Sequence, residues 1–349
     1  MKSVMFITGS MVRGGAERVI SIIANDYAAR GWKVSIVMTL HSFIGYELDP
    51  SIEVIDISDD SKSATLRYPF LVRKVRKLVK SYNPDAVVSF MDNVCLIAGP
   101  ARICLKNRFV TSERIDPSQV HRNFLIKGAL NSIYASSDCC VFQTKRAFNY
   151  FPAKVRAKGV VIPNPIKVEA YATYKSKRIV TSGRLNKQKN HKMLINVFAE
   201  LHPLFPDWKL DIYGEGPLRR ELEAQISEKN LKEFVELKGN VPDLHKRISD
   251  ASLFVLSSDY EGLSNALLEA MMMGLPCIST ACAGSDEVIN NMENGILVPV
   301  KDGKALFEAM KLLMSDGEFA VSLGKQARDS SNAYRVDTVI EKWRRAIEG

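Results

Sequence analysis

Short apolar runs alternate along the chain with longer stretches of helical periodicity. In the first half, the runs that predict β-strands are Val4–Thr8, Lys33–Thr39, Ile52–Ile57, Ala86–Phe90, Arg108–Thr111 and Cys139–Phe142. The rhythm restarts in the second half, with predicted strands at Arg178–Gly183, Lys209–Tyr213, Val235–Leu237, Leu253–Leu256 and Pro276–Ser279. Buried strands separated by helices are typical of parallel sheets. The pattern therefore predicts two open α/β units in tandem.

The boundary between the units is predicted at Ile162-Pro-Asn-Pro-Ile166, where two prolines favour an extended backbone. A chain of 349 residues also exceeds what one hydrophobic core usually serves. We predict an N-terminal domain at 1–165, a C-terminal domain at 166–330, and a helix at 331–349 that returns to the N-terminal domain. Ligands of such sheets bind beyond the carboxyl ends of the strands, so we expect the site in the cleft between the domains.

Composition and apolar run length exclude several classes of protein. With 46% hydrophobic and 25% charged residues, the chain is typical of a globular protein and not of a disordered one. The most apolar stretch, 85–105, is interrupted by Asp92, Pro100 and Arg102, and the first apolar run is too short for a signal peptide. The six cysteines form no CxxC pair and no zinc spacing with the five histidines. We therefore expect a cytoplasmic protein with free thiols and no bound metal.

Positive charge is concentrated in the first half of the chain. Residues 1–170 have a net charge of +10, whereas residues 171–349 have a net charge of −1. A basic half suggests a polyanion, an anionic membrane or a phosphorylated substrate, and charge alone does not separate these partners.

A basic helix is predicted within residues 69–80. The segment contains five cations and no acid, namely Arg73, Lys74, Arg76, Lys77 and Lys80. Its apolar residues form one helical stripe, made of Leu71, Val75, Leu78 and Val79. Two interpretations are open: the helix lies on an anionic membrane surface, or it packs its stripe on the sheet and leaves its charges in water.

A first candidate for phosphate binding follows the predicted strand 178–183. Arg184 and Lys189 lie between the end of this strand and the start of a helix with an apolar face. A phosphate at that position is attracted by both cations and by the helix dipole. The alternative is a solvated basic loop, since short motifs often occur by chance.

A second candidate is the segment from Glu261 to Glu269. Ser264 is predicted to cap a helix that starts here, and the amides of Leu263, Ser264 and Asn265 are suited to holding a phosphate while Glu261 reaches the attached group. Glu269 is the only charge in an otherwise apolar helix, and a buried carboxylate requires hydrogen-bond donors. Its partner is either a ligand diol, such as the 2′ and 3′ hydroxyls of a ribose, or a buried Arg or backbone group.

Taken together, these motifs resemble the retaining glycosyltransferases of family 4. That family has the GT-B fold, in which two Rossmann-like domains face each other across a cleft. The shared motifs occur in the family's order: Gly14-Gly15-Ala16-Glu17, the Gly-Arg-Leu loop 183–189, Tyr213-Gly-Glu-Gly-Pro217, Gly239-Asn-Val-Pro242, and Glu261-x7-Glu269 with its Ala-Met-x-x-Gly-x-Pro continuation.

The resemblance implies a role for each matched residue. Arg184 and Lys189 are expected to hold the donor diphosphate, Glu269 the ribose and Glu261 the sugar hydroxyls. Gly14 and Gly15 are expected to approach the acceptor, and Gly15 also the diphosphate. The segment 239–241 would line the base, and the remaining residues assigned to the donor are Gly183, Gly214, Asn240, Val241, Leu263, Ser264 and Asn265.

One segment departs from the family pattern. Many members have a His-Asp pair after a central strand of the N-terminal domain, whereas this chain reads Thr111-Ser-Glu-Arg-Ile-Asp-Pro117. The segment resembles a Ser-Glu-Arg-Asn-Asp-Pro variant of bacterial polysaccharide glycosyltransferases. We expect Glu113 or Arg114 to lie near the transferred sugar, Glu113 as a catalytic residue and Arg114 as an acceptor-binding residue.

The resemblance implies transfer of a hexose or N-acetylhexosamine from a nucleoside diphosphate sugar, with UDP favoured. The acceptor would be a glycan or a polyprenyl-diphosphate-linked glycan in bacterial surface polysaccharide synthesis. No metal cofactor and no nucleic acid partner are expected, and the protein would act in the cytoplasm or at the inner face of the membrane. Two alternatives stay open: a nucleotide-sugar epimerase of the GT-B fold, and a non-catalytic nucleotide-sugar-binding protein.

Overall fold

The computed structural model describes residues 1–12, 14–59, 64–118, 120 and 122–349. Arg13, which belongs to the predicted loop 9–15, lies outside the described residues. The chain divides into two compact units: unit 1 consists of Met1–Pro165 and Val336–Gly349, and unit 2 of Ile166–Arg335. Unit 1 contains 26 Lys and Arg against 16 Asp and Glu, so the net charge of +10 belongs to this unit.

A parallel sheet of seven described strands forms the centre of unit 1. The strands are β1 (Ser3–Thr8), β2 (Lys33–Met38), β3 (Glu53–Asp56), β4 (Ala86–Phe90), β5 (Arg108–Glu113), β6 (Cys139–Phe142) and β7 (Gly159–Val161). Their order in the sheet is β3-β2-β1-β4-β5-β6-β7. Since every described pair is parallel, all carboxyl ends of the strands lie at one edge of this sheet.

Helices cover both faces of this sheet. They are α1 (Gly15–Ala29), α2 (Ala64–Tyr82), α3 (Asp92–Ala101), α4 (Phe124–Ser136), α5 (Lys145–Tyr150) and α6 (Ala153–Arg156). The core on one face includes Phe6, Ile20 and Val88, and the core on the other includes Ile7, Val75 and Val87. The alternation of neighbouring residues such as Phe6 and Ile7 between the two cores reflects the two-residue period of a strand.

A second parallel sheet forms the centre of unit 2. Its strands are β8 (Arg178–Ser182), β9 (Lys209–Tyr213), β10 (Val235–Gly239), β11 (Leu253–Leu256), β12 (Cys277–Thr280) and β13 (Ile296–Val298), in the order β10-β9-β8-β11-β12-β13. The helices are α7 (His191–Leu201), α8 (Arg219–Glu228), α9 (Leu244–Ile248), α10 (Asn265–Met273), α11 (Ser285–Val288), α12 (Gly303–Ser315) and α13 (Gly317–Ser330). Short 3-10 turns occur at Lys187–Lys189 and Ser331–Tyr334.

The last helix, α14 (Val336–Glu348), belongs to unit 1. Trp343 is fully buried in the core that contains Phe6 and stacks on Phe90 with 5.4 Å between the ring centroids. At the end of the helix, Glu348 pairs at 2.6 Å with Arg30, which follows α1. Although α14 is remote in sequence, it supplies part of the N-terminal hydrophobic core.

Helix α2 packs its apolar stripe on the sheet. Leu71, Val75 and Val79 are buried in the same core as Ile7, and Leu78 is partly buried against it. Of the two interpretations of this basic helix, packing on the sheet therefore accounts for the stripe. No helix in the described part of the chain combines the length and apolar composition needed to cross a membrane.

The loops that follow β8, β9 and β10 approach each other at backbone distance. The Gly183 amide donates to the Tyr213 carbonyl oxygen at 2.9 Å, and the Gly214 amide donates to the Gly239 carbonyl oxygen at 2.9 Å. Gly214 has a φ of +135°, and a Cβ at this position would lie 2.0 Å from the Gly183 carbonyl oxygen. Only glycine fits there, because any side chain would push the loop after β8 away.

We expect Gly214→Ala to lower the free energy of unfolding by at least about 2 kcal/mol, because it combines a strained φ with a clash against backbone. The measurement is urea unfolding followed by circular dichroism. Gly317→Ala is the matched control, since a Cβ at the start of α13 meets no atom within 4 Å. Equal unfolding midpoints for the two variants would contradict the tight approach of the two loops.

Candidate functional site

The order of the strands in unit 2 places a ligand site between β8 and β11. On one side of this point the strands that follow β8 in the chain, β9 and β10, are added in order. On the other side β12 and β13 follow β11. In open parallel sheets, ligands bind at such a reversal, beyond the carboxyl ends of the strands. The loop after β8 contains Arg184 and Lys189, and the segment after β11 contains Glu261. Both predicted motifs therefore meet at the position that the topology favours.

An ion pair joins these two motifs. The Lys189 ammonium contacts Oε1 of Glu261, and both side chains are largely buried. The Ser258 hydroxyl donates to the same carboxylate oxygen at 2.8 Å, and the Gln188 amide nitrogen donates to the Tyr260 carbonyl oxygen at 2.9 Å. The loop after β8 is thus fixed against the segment after β11, and Lys189 and Glu261 act as one unit.

Arg184 lies beside this pair in a different environment. Arg184 is exposed, whereas the following Leu185 is fully buried and anchors the loop. Within the part of the chain that the structure describes, the Arg184 guanidinium has no hydrogen-bond or ion-pair partner. An exposed cation at a strand end, close to a helix N-terminus, is available to an anionic ligand.

Helix α10 presents its N-terminus at the same edge. The Ser264 hydroxyl accepts from the Leu267 amide at 3.4 Å and caps the helix, as the sequence predicts. Gly284 in the loop after β12 supports the segment before the helix, because it has a φ of +90° and a Cβ there would lie 1.9 Å from the Gly262 carbonyl oxygen. The amides that open α10 therefore stand at a fixed position.

Glu269, one turn into α10, has a protein partner that the sequence did not reveal. Its Oε2 lies 3.3 Å from Nε2 of His245 on α9. The other ring nitrogen of His245 accepts from the Glu169 amide at 3.4 Å, which assigns the proton of a neutral imidazole to Nε2. His245 therefore donates to the carboxylate, a role that we had expected of a ligand diol, an Arg or the backbone. His245 lies just beyond the segment 239–242, and this position in the sequence was the one indication of its role.

The predicted donor residues of unit 2 lie at the carboxyl edge of its sheet. They follow four different strands and comprise Gly183, Arg184, Lys189, Gly214, Asn240, Val241, Glu261, Leu263, Ser264, Asn265 and Glu269. Gly14, Gly15, Glu113 and Arg114 form a separate group in unit 1. Gly15, which we assigned to donor and acceptor alike, thus lies in unit 1. Whether each residue binds a ligand stays a prediction.

In unit 1, Gly14 precedes the first residue of α1 and Gly15 starts that helix. The Gly14 amide donates to the Tyr46 hydroxyl at 3.1 Å, and this hydroxyl donates to the Gly14 carbonyl oxygen at 2.7 Å. Burial raises the pKa of Glu17, which lies in the first turn of α1. The helix start is held in place by Tyr46 and leaves its amides at the carboxyl edge of the sheet.

Glu113 ends β5 and is buried in a network of donors. Its Oε2 lies 3.3 Å from the Arg122 guanidinium and accepts from the Tyr134 hydroxyl at 3.2 Å. Its Oε1 accepts from the amides of Arg114 and Ile115 at 3.2 and 3.4 Å. Burial outweighs the opposing charge of Arg122 and raises the pKa of Glu113 to about 7. A carboxyl group with this pKa can hold or release a proton near neutral pH.

Arg114 points into the interior of unit 1. Its guanidinium donates to the side-chain oxygen of Asn164 and to the Ile162 carbonyl oxygen, the latter at 3.4 Å, and lies 5.9 Å from the Trp343 ring. Burial lowers the pKa of Arg114 to about 9. These contacts make Arg114 a tie between β5, the segment after β7 and α14, and its acceptor-binding role stays a prediction.

The arrangement in unit 2 suits a polar ligand with an anionic centre. Arg184, Lys189 and the amides of α10 offer donors to an anion such as a diphosphate. Glu261 and Glu269 offer carboxylate oxygens to hydroxyl groups on either side of it. The carboxyl edge of the unit 2 sheet thus combines groups suited to an anion with groups suited to hydroxyls.

Comparison with known proteins identifies related sequences over the whole chain. Residues 166–330 match the family model described as Glycosyl transferases group 1. The chain is 29% identical over 350 residues, and 93% of each sequence, to the N-acetylgalactosamine-N,N'-diacetylbacillosaminyl-diphospho-undecaprenol 4-alpha-N-acetylgalactosaminyltransferase of Campylobacter jejuni. It is 25% identical over 99% of its length, and 98% of the relative, to the GalNAc-alpha-(1->4)-GalNAc-alpha-(1->3)-diNAcBac-PP-undecaprenol alpha-1,4-N-acetyl-D-galactosaminyltransferase of the same organism.

Solved structures share the architecture over the full length. The crystal structure of Anabaena HepE in complex with UDP superposes with a TM-score of 0.84 at 17% identity and covers 99% of both chains. Sucrose-phosphate synthase of Thermosynechococcus elongatus gives a TM-score of 0.85 at 20% identity, over 99% of this chain and 98% of that one. At these identities the likeness establishes the fold, which is GT-B.

The raised pKa of Glu113 predicts a pH-dependent stability. Because the folded-state pKa of about 7 exceeds the ordinary value of 4.5, the carboxyl stabilises the fold below about pH 4.5 and loses this contribution as the pH rises through 7. Glu113→Gln removes the titration, so we expect its melting temperature to fall less between pH 5.5 and pH 8 than that of the wild type.

Calorimetric melting of both proteins at several pH values is the measurement. The matched control is Glu228→Gln, which alters an exposed carboxylate at the end of α8 and should follow the wild-type curve. Parallel pH curves for Glu113→Gln and the wild type would show that Glu113 titrates in its ordinary range.

Proposed function

Since the chain has the GT-B fold and residues 166–330 match the glycosyl transferases group 1 model, we propose that it transfers a hexose or an N-acetylhexosamine from a UDP-sugar to a lipid-linked glycan, with retention of the anomeric configuration. The product would be an intermediate of bacterial surface polysaccharide or glycan synthesis. The names of both Campylobacter jejuni relatives specify undecaprenol-linked glycans, and the HepE structure contains UDP. These names support the substrate classes of the proposal.

The observation that carries the proposal is the cluster at the β8 and β11 ends of unit 2. It combines an exposed Arg184 that pairs with no other residue described in the structure, a Lys189 ammonium held by Glu261, and the capped N-terminus of α10. The Lys189 ammonium has three N–H donors, so it can keep its contact with Glu261 and still donate to a phosphate oxygen. A diphosphate bound here would be neutralised from two sides.

The transfer step follows from this electrostatic arrangement. The bond between the anomeric carbon and the diphosphate oxygen breaks, and negative charge grows on the diphosphate while the sugar becomes oxocarbenium-like. Arg184, Lys189 and the α10 amides stabilise that growing charge. The acceptor hydroxyl attacks from the face that the diphosphate leaves, and its proton passes to a diphosphate oxygen. This order of events gives retention without a covalent enzyme intermediate.

The two carboxylates of the site have separate tasks in this mechanism. Glu261, oriented by Ser258 and Lys189, accepts hydrogen bonds from hydroxyls of the transferred sugar. Glu269 accepts hydrogen bonds from the ribose, and His245 keeps the carboxylate in position. The segment 239–241 at the end of β10 lines the base. No metal is needed, because the protein's own cations supply the charge.

In unit 1, the acceptor would bind at the carboxyl edge of the sheet. Gly14 and Gly15 would approach the acceptor and the diphosphate, and Glu113 would lie near the transferred sugar with a proton that it can exchange near neutral pH. The basic residues of α2 would attract an anionic membrane surface at the inner face of the membrane, with Arg73 and Lys77 exposed there.

The decisive experiment measures nucleotide release from a panel of UDP- and GDP-sugars, with and without a polyprenyl-diphosphate-linked glycan. A single preferred UDP-sugar whose turnover requires the acceptor, with an α-linked product from an α-linked donor by NMR, is the expected result. Turnover without acceptor to an epimeric sugar would instead identify an epimerase. Binding of donor without any turnover would identify a non-catalytic protein.

We expect Arg184→Ala to lower kcat by roughly 10- to 100-fold with a smaller change in the donor KM, because the charge on the diphosphate is largest in the transition state. Folding should be unaffected, since the side chain is exposed. Steady-state kinetics in the presence of EDTA is the measurement.

The matched control for Arg184→Ala is Arg156→Ala, an exposed arginine on α6 of unit 1. Wild-type kinetics are expected for this variant. Activity that disappears in EDTA and returns with manganese would show that a metal ion carries the charge assigned to Arg184 and Lys189.

We expect His245→Ala to weaken UDP binding by roughly 3- to 10-fold, and Glu269→Ala by more, because each loses support for the ribose hydroxyls. His245→Gln, which keeps an N–H donor near the carboxylate, should retain most of the affinity. Calorimetric titration with UDP and with 2′-deoxy-UDP is the measurement.

The deoxy ligand separates a ribose contact from a general loss of structure. Both alanine variants should discriminate less between UDP and 2′-deoxy-UDP than the wild type does. If the variants lose the same factor of affinity for both ligands, Glu269 and His245 act on the fold of unit 2 and not on the ribose.

A further inference from the structure

The first two turns of α4 project from unit 1 into solvent. Residues 123–129 are all exposed, and Phe124, Leu125 and Ile126 retain 81%, 67% and 38% of their surface. A Cβ built on Gly128 would meet no atom within 4 Å. The C-terminal half of the helix, by contrast, buries Leu130 and Tyr134 in unit 1. The helix is therefore buried at its C-terminal end and exposed at its N-terminal end.

The projecting turns are ordered by their own hydrogen bonds. The side-chain oxygen of Asn123 accepts from the Ile126 amide at 2.9 Å, and the Asn123 carbonyl oxygen accepts from the Lys127 amide at 3.0 Å. Three large apolar side chains are thus presented together on a capped helix end. Adjacent exposed apolar residues of this kind mark a surface that meets another apolar phase.

Positive charge prevails in the segment of the chain that contains the apolar turn. The Lys127 ammonium lies 4.9 Å from the centre of the half-exposed Tyr150 ring, and Lys145 and Arg146 at the start of α5 are exposed. Residues 123–158 contain six Lys and Arg but one acid, Asp138. The surface combines protruding apolar groups with cations, which is the combination that binds the interface of an anionic bilayer.

The topology of unit 1 locates this turn at the carboxyl edge of the sheet. Helix α4 follows β5, so it starts at the edge where β5 ends in Glu113. Helix α2 precedes β4 and runs back along the sheet, so its first turns start at the same edge. Exposed Tyr68 belongs to that part of α2. One edge of unit 1 thus carries both the proposed acceptor residues and the apolar turn.

We propose that Phe124, Leu125 and Ile126 insert into the interface of an anionic bilayer, while Lys127, Lys145 and Arg146 contact its headgroups. The convex shape selects this occupant: a bilayer closes around a protruding helix end, whereas a peptide or a single acyl chain requires a groove. The inference deepens the assignment of a lipid-linked acceptor and rests on that proposed function. Docking here would bring the carboxyl edge of unit 1 to the membrane surface that holds such an acceptor.

The test is co-sedimentation of the full chain with vesicles of phosphatidylcholine containing about 30% phosphatidylglycerol, in about 0.15 M salt. The wild type is expected to bind, and the double variant Phe124→Ser/Leu125→Ser should lose at least roughly tenfold in partition coefficient. Lys127→Glu should weaken binding to these vesicles and reduce its dependence on salt.

Ile103→Ser is the matched control. Ile103 is 62% exposed, belongs to unit 1 and follows the end of α3, at the opposite edge of the sheet from the start of α4. The control variant should bind vesicles like the wild type. Equal melting temperatures for all variants would show that the substitutions leave the fold intact, as the exposure of the side chains predicts.

Vesicle binding that is absent from the wild type, or unchanged in the double serine variant, would overturn the proposal. Binding lost in Lys74→Glu/Lys77→Glu but retained in the double serine variant would also overturn it, in favour of purely electrostatic contact through α2. Donor turnover with a detergent-solubilised acceptor is measured in parallel and should be unchanged in the double serine variant. Absence of turnover in the wild type would contradict the proposed function while the vesicle assay still decides the docking surface.

Discussion

Close approach of the loops that follow β8, β9 and β10 is the constraint on which the donor side of the molecule depends. The ends of parallel strands leave amide and carbonyl groups that need partners. Here the loops pair with each other, Gly183 with Tyr213 and Gly214 with Gly239. The resulting frame holds Leu185 in the core, points Arg184 to solvent and lets Lys189 reach the segment after β11.

The sequence predicted the α/β fold class, and the structure confirms it. Four strands match their predicted bounds without change, among them Ala86–Phe90 and Leu253–Leu256, because these two fully buried strands appear as short, mainly apolar runs. The three-residue strands β7 and β13 were missed. Each is too short to show a period, and each lies at the edge of its sheet, where pairing on one side only demands less apolar sequence.

The candidate site was less accessible to sequence reasoning, because its energetics depend on pairs of residues that are distant along the chain. The family resemblance implied that Glu261 and Lys189 share one site, but their contact spans 72 residues and follows from strand order. The partners His245 and Arg122 were missed for the same reason. A carboxylate in a buried position requires a hydrogen-bond donor, but the sequence does not show which side chain the fold brings to it.

The two ends of unit 2 meet each other. Ile166 and Arg335 form a bridge, the Ile166 amide donates to the Tyr334 carbonyl oxygen at 2.8 Å, and the chain enters unit 1 on both sides of this point. Unit 2 is therefore one continuous segment of the chain, and its two ends lie next to each other. Exchange of residues 166–335 for the corresponding segment of another GT-B protein would leave α14 in place, whereas truncation before Val336 would remove Trp343 from the N-terminal core. If unit 2 binds the donor as proposed, donor specificity can evolve by exchange of a contiguous gene segment, provided that α14 is kept.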